Sequence, residues 1–162
     1  MPCVFVVMVG MATHSENLTG VRKKLWYLIN DEDAKTILET IIEKMNEAGD
    51  NSKRLKKLYD NARTLIPDNS KYEEKYWVAA YILHRNSAKL KNLLDELKQI
   101  NREIKKLHKY LDDLDRKSKK RRLNYLEFEY MYGISLENLY ELQYSKKALL
   151  EDMGRIVKNL IV

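Results

Sequence analysis

An all-α fold is what this sequence predicts, and three observations predict it. Apolar residues recur at every third or fourth position from Thr19 onward, the spacing of one helix face. Only five Gly and two Pro stand among 162 residues, too few for the turns of a sheet protein. With 44% hydrophobic and 33% charged residues, the chain can fill a core and still wet its outside. The expected architecture is an antiparallel helical bundle with a long heptad-patterned, coiled-coil-like helix and a C-terminal helical unit.

Residues 1–18 read as an N-terminal apolar arm. The run Met1–Val9 is far shorter than the roughly 20 residues of a membrane-spanning helix, so no membrane association is expected. Its valines favour an extended segment, and a start codon at Met8 or Met11 competes with a functional arm.

Residues 19–85 read as four helices. Val21, Leu25, Leu28 and Ile29 make the first apolar face. Asn30 or Asp31 caps a second helix through Ala34, Ile37, Leu38, Ile41, Ile42 and Met45, and Gly49 ends it as a left-handed residue would. Ser52 caps a third helix carrying Leu55, Leu58, Tyr59, Ala62, Leu65 and Ile66. Pro67-Asp68-Asn69-Ser70 is a turn, and Tyr72, Tyr76, Trp77, Ala80, Tyr81 and Leu83 mark a fourth helix. Connections this short argue for antiparallel neighbours.

Residues 86–122 read as one long helix. Leu90, Leu93, Leu97, Ile100, Ile104, Leu107, Leu111 and Leu114 step 3, 4, 3, 4, 3, 4, 3, a strict heptad seam. Such a seam packs against another helix, either of the same chain or of a second copy as a homodimer. The segment ends in Arg116-Lys117-Ser118-Lys119-Lys120-Arg121-Arg122, where six of seven residues are basic. Residues 123–162 form the C-terminal unit, in which Leu123, Leu126, Phe128 and Tyr130 open a stretch expected to stop at Gly133 and Ser135 caps a last helix.

Net charge is +6, and it is concentrated. Residues 85–124 carry 14 basic and 6 acidic side chains, while the flanking regions are balanced or slightly acidic. A local excess of this kind attracts polyanions, although a lysine-rich helix also keeps a solvated face soluble.

Catalytic, metal and cofactor chemistry is not legible. His14, His84 and His108 are scattered, and no nucleophile elbow, dinucleotide turn or phosphate loop occurs. The ladder Glu39, Glu43, Glu47 has no histidine partner and reads as solvated surface. Cys3 is the one cysteine, which rules out an intrachain disulfide and fits a cytoplasmic location. The aromatic group Tyr72, Tyr76, Trp77 and Tyr81 is read as core with satisfied polar tips, with a protein-binding face as the competing reading.

The segment from Tyr130-Met131-Tyr132-Gly133-Ile134-Ser135 through Tyr144-Ser145-Lys146-Lys147 to Arg155 resembles the helix-turn-helix of phage late-transcription regulators of the RinA/ArpU type, whose unit is similar to sigma-factor region four. The resemblance spans about 70 residues, Leu90 to Leu160. It implies that Leu136 and Leu139 are core of a first helix, that Tyr144-Ser145 is the turn and cap, and that Lys146, Lys147, Arg155 and Lys158 face DNA from a recognition helix. A second reading stands beside it. Leu139, Leu142, Lys146, Leu149, Met153, Ile156 and Leu160 step 3, 4, 3, 4, 3, 4, so one unbroken helix can pack along the Leu90–Leu114 seam instead. The two readings part at Gln143–Ser145.

The expected function is therefore a nucleic-acid-binding regulator of phage or mobile-element type. Its contacts would be Arg116, Lys117, Lys119, Lys120, Arg121 and Arg122 from the basic run, with Ser145, Lys146, Lys147, Arg155 and Lys158 from the C-terminal unit. The alternatives are a non-enzymatic helical protein–protein interaction protein (inhibitor or adaptor), or a small helical subunit of a nucleoprotein complex such as a CRISPR effector.

Overall fold

A computed structural model describes residues 19–162. The expected apolar arm, with its extended Val-rich run, lies outside the described residues. Within them the chain is mostly helical, with no strand. Helix α1 runs over residues 19–30, followed by α2 (Glu32–Ala48), α3 (Lys53–Arg63), α4 (Glu74–Arg85), α5 (Ser87–Lys119) and α6 (Tyr125–Ile161). None of these helices is long and apolar enough to cross a membrane. The chain divides into two compact units, one holding residues up to Lys89 together with Gly154–Val162, the other Leu90–Met153.

In the first unit the local signals act as read. Asp31 caps α2 by accepting the Asp33 amide at 3.0 Å, and Glu32 and Asp33 place negative charge on the positive end of the helix dipole. Gly49 ends α2 at φ +62°, the left-handed region where a Cβ would be strained, and returns its amide to the Met45 carbonyl. Ser52 accepts the Leu55 amide at 3.1 Å, capping α3, and its hydroxyl donates to the Ile161 carbonyl at the end of α6. Arg54 donates to the Asn159 carbonyl at 3.2 Å, so the α3 cap and an α3 side chain satisfy carbonyls that the last turn of α6 leaves open.

The core of this unit is centred on α4, which packs on both α2 and α3. Trp77, Val78, Ala79, Ala80, Ile82 and Leu83 are all buried, so α4 is covered nearly all round. Around it close Leu25, Ile37, Leu38, Ile41, Met45, Leu55 and, from α6, Val157 and Ile161. Gly154 lets α6 approach α2 closely, since a Cβ there would stand 2.9 Å from the Lys44 side chain. Of the aromatic group, Trp77 is buried and Tyr72, Tyr76 and Tyr81 are half-buried, with polar partners at three of the four. Ser70 Oγ accepts the Trp77 indole N–H at 2.6 Å, the Tyr72 hydroxyl donates to Asn30, and Arg85 donates to the Tyr81 hydroxyl at 2.9 Å.

The second unit is a helical hairpin. The heptad seam of α5 faces a matching stripe on α6: Phe128, Tyr132, Ser135, Leu139, Leu142, Lys146, Leu149 and Met153, stepping 4, 3, 4, 3, 4, 3, 4. Leu107 of α5 and Leu142 of α6 line one groove with Glu103, Asn138 and Ser145, which sets the helices antiparallel. Along α5, Leu90, Leu97, Leu111 and Leu114 are buried, and the other four seam residues are half-buried. The seam thus meets α6 of the same chain, the first of the two partners expected for it.

One expectation about α6 is corrected, and one open choice is decided. The expected stop at Gly133 and cap at Ser135 are absent, and Ser135 is instead a buried seam residue. Of the two readings that part at Gln143–Ser145, the unbroken helix is the one found, because α6 runs on to Ile161. Glycine in a helix costs only about 1 kcal/mol, while burial of each Leu or Met on the seam contributes about 1.5–3 kcal/mol, so continuity prevails.

Candidate nucleic-acid interface at the hairpin turn

The basic run forms the turn of the hairpin, and its backbone explains why the chain reverses there. Arg122 donates its amide to the Lys117 carbonyl at 2.9 Å and Arg121 to the Ser118 carbonyl at 3.0 Å, the paired bonds of a Schellman ending. That motif requires a left-handed residue after the helix, and Arg121 supplies it at φ +54°. Glycine is the usual occupant, so an arginine here carries backbone strain of about 1 kcal/mol. Asn124 then caps α6 by accepting the Leu126 amide at 3.1 Å. Five residues, 120–124, complete the reversal.

Arg116, Lys117, Lys119, Lys120, Arg121 and Arg122 are all exposed. Two of them are partly neutralised on the same helix, Arg116 by Asp113 and Lys119 by Asp115 at 3.2 Å. Lys117, Lys120, Arg121 and Arg122 form no ion pair among the described residues. Of the two carboxylates early in α6, Glu127 and Glu129, the second is engaged with Tyr125. Its hydrogen bond to the Tyr125 hydroxyl, and then its charge, raise that hydroxyl's pKa. One or two cations suffice to complement the negative end of the α5 dipole, and here six stand within seven residues.

The other expected contacts do not join this cluster. Ser145 and Lys147 are exposed on the middle of α6, roughly 30 Å along the helix from its first residue at 1.5 Å per residue. Lys146 falls on the seam face and is half-buried. Ser145 is mid-helix and caps nothing. Arg155 and Lys158 belong to the other compact unit, where Lys158 lines a groove of about 450 Å³ with Lys44, Lys53 and Ser52. A recognition helix opening at Ser145 is therefore not present.

Sequence reasoning missed two features. The central place of α4 was signalled by the unbroken apolar run Trp77-Val78-Ala79-Ala80, too continuous for a one-faced helix. The exposed aromatic residues of α6, Tyr125, Tyr130, Tyr140 and Tyr144, had no signal until the seam assigned their opposite face to α5. Elsewhere, Glu39, Glu43 and Glu47 are exposed, Glu47 pairing with Lys44 at 3.2 Å. His84 is half-buried, and burial, then the charge of Lys24, holds its pKa below the usual imidazole value. Compared with protein-family models, curated proteins and solved structures, the chain matches none.

Proposed function

We propose that this chain is a non-enzymatic nucleic-acid-binding protein that grips phosphates with the turn of its α5–α6 hairpin. The carrying observation is the set of four exposed cations without ion pairs among the described residues, Lys117, Lys120, Arg121 and Arg122, gathered at one turn. Lysine and arginine at a phosphate backbone release condensed counterions, giving affinity that falls steeply with salt.

The dimensions of the turn favour backbone contact over base reading. Two packed helices are about 20 Å across, whereas the major groove of B-DNA is about 12 Å wide and admits one helix. The turn therefore meets phosphates along a groove edge or a single strand, and binding is largely independent of sequence.

Fluorescence polarisation with mixed-sequence duplex and single-stranded oligonucleotides across a salt series tests this reading. The double substitution Arg121→Gln/Arg122→Gln is expected to weaken binding and reduce the log–log salt slope by roughly two counterions' worth. A slope left unchanged removes the turn from the account, and no binding at low salt removes nucleic acid altogether.

A further inference from the structure

Helix α6 carries a second stripe, facing away from the seam. Leu126, Tyr130, Gly133, Glu137, Tyr140 and Tyr144 step 4, 3, 4, 3, 4, a heptad register of their own. Leu126 is 72% exposed, Tyr130 71%, Tyr140 64% and Tyr144 75%, with Ile134 exposed beside them. A lone helix surface rarely leaves such side chains in water on the side opposite its core, and a contiguous patch of them marks an interaction site.

The size of the stripe suits a helical occupant. It runs for about 27 Å along α6 and presents roughly 700 Å² of apolar and aromatic side-chain surface, close to the ~800 Å² per partner of a stable interface. Gly133 lies within it with no atom inside 4 Å of where its Cβ would be, so an approaching backbone meets no side chain there.

Charge selects among occupants. Residues 125–145 contain Glu127, Glu129, Glu137 and Glu141 and no lysine or arginine. Nucleic acid is repelled from this face. A second copy would set four carboxylates against four more with no cation between them. An amphipathic helix whose apolar ridge is bordered by Lys or Arg matches on both counts, and its cations also find tyrosine rings to lie over.

We infer that the outward face of α6, centred on Tyr130, Gly133, Tyr140 and Tyr144, docks a basic amphipathic helix of a protein partner. This does not rest on nucleic-acid binding, since the stripe and the basic turn share no residue.

The test uses the full chain and two labelled helical peptides, each about three heptads long with the same leucine ridge, one flanked by lysine and the other by glutamate. Fluorescence anisotropy is expected to show saturable binding of the lysine peptide only. Tyr130→Ser/Tyr144→Ser should weaken it roughly tenfold or more, and Glu137→Lys/Glu141→Lys should transfer preference to the glutamate peptide. Circular dichroism of each variant, expected unchanged because these side chains are exposed, confirms folding. Arg121→Gln/Arg122→Gln should leave peptide binding intact, which separates this surface from the turn. Equal binding of both peptides, no binding of the lysine peptide, or indifference to the tyrosine substitutions overturns the inference. So does a dimer in sedimentation that Tyr130→Ser/Tyr144→Ser dissociates, which would make the occupant a second copy.

Discussion

The bundle built on α4 and the hairpin of α5 and α6 use the same residue types but bury them differently. In the bundle, Leu25, Ile41, Val78, Ala79 and Ile82 are fully buried, because each is enclosed by several helices. In the hairpin, Leu97 and Leu114 are buried on the seam, but Leu93, Ile100, Ile104 and Leu107 are only half-covered. Two helices can close one seam between them, but they leave both flanks and both backs to solvent. A bundle therefore spends its apolar residues on stability, while a hairpin keeps surfaces available for contact. The basic turn and the tyrosine stripe both belong to the hairpin.

That contrast can be broken most directly by truncating one side chain in each region. Ile41→Ala is expected to cost about 3–4 kcal/mol in urea unfolding, since it leaves a cavity in an enclosed core. Ile104→Ala should cost about 1–2 kcal/mol, because solvent already reaches the site. Equal costs would mean that the hairpin is covered in solution by something beyond this chain.

Smaller effects sharpen the picture at element ends. Ser52→Ala removes both the cap of α3 and the donor to the Ile161 carbonyl, with an expected loss of about 1–2 kcal/mol by thermal denaturation. Arg121→Gly should act in two directions at once. It relieves the left-handed strain and stabilises the hairpin by about 1 kcal/mol, yet lowers the salt slope of nucleic-acid binding by about one counterion. A variant that gains stability and keeps its full slope would show that Arg121 serves the turn alone.

The smallest expected effect is a pH dependence from His84. Its folded-state pKa is lowered by burial and then by Lys24, so the unfolded chain binds the proton first, at about pH 6.5. Stability contributed by the neutral imidazole is present above that pH and declines as pH falls below it. Unfolding curves at pH 7.5 and 5.5 (about one unit either side of the ordinary imidazole value) should differ less in His84→Gln than in the unmodified chain. Equal pH responses would count against any burial effect at this site.

Much of the bundle was legible because its signals are local. Asp31, Gly49, Ser52 and the Pro67–Ser70 turn each act within four residues of themselves, and each does what its side chain dictates. The basic run was equally plain, as charge is read directly from composition. The candidate site drawn around it was less so. Grouping Ser145, Lys146, Lys147, Arg155 and Lys158 with the run assumed a break in α6, and whether a helix breaks at Gln143–Ser145 depends on what covers its face. Tyr144, at 75% exposure, carries no turn there, because Leu142 and Leu149 hold the helix on the α5 seam.

By itself the sequence determined that the chain is helical, where α2 and α3 begin, and that α5 carries a seam needing a partner. These follow from 3.6-residue periodicity and from capping groups that bond their immediate neighbours. Only the tertiary structure decided which helix closes that seam, that Gly133 and Ser135 lie inside α6 rather than at its ends, and that the tyrosines of α6 are left outside. A heptad pattern states that a partner exists without saying which one, since any complementary stripe satisfies it. Once α6 took that place, the register of its buried face also set what its other face exposes.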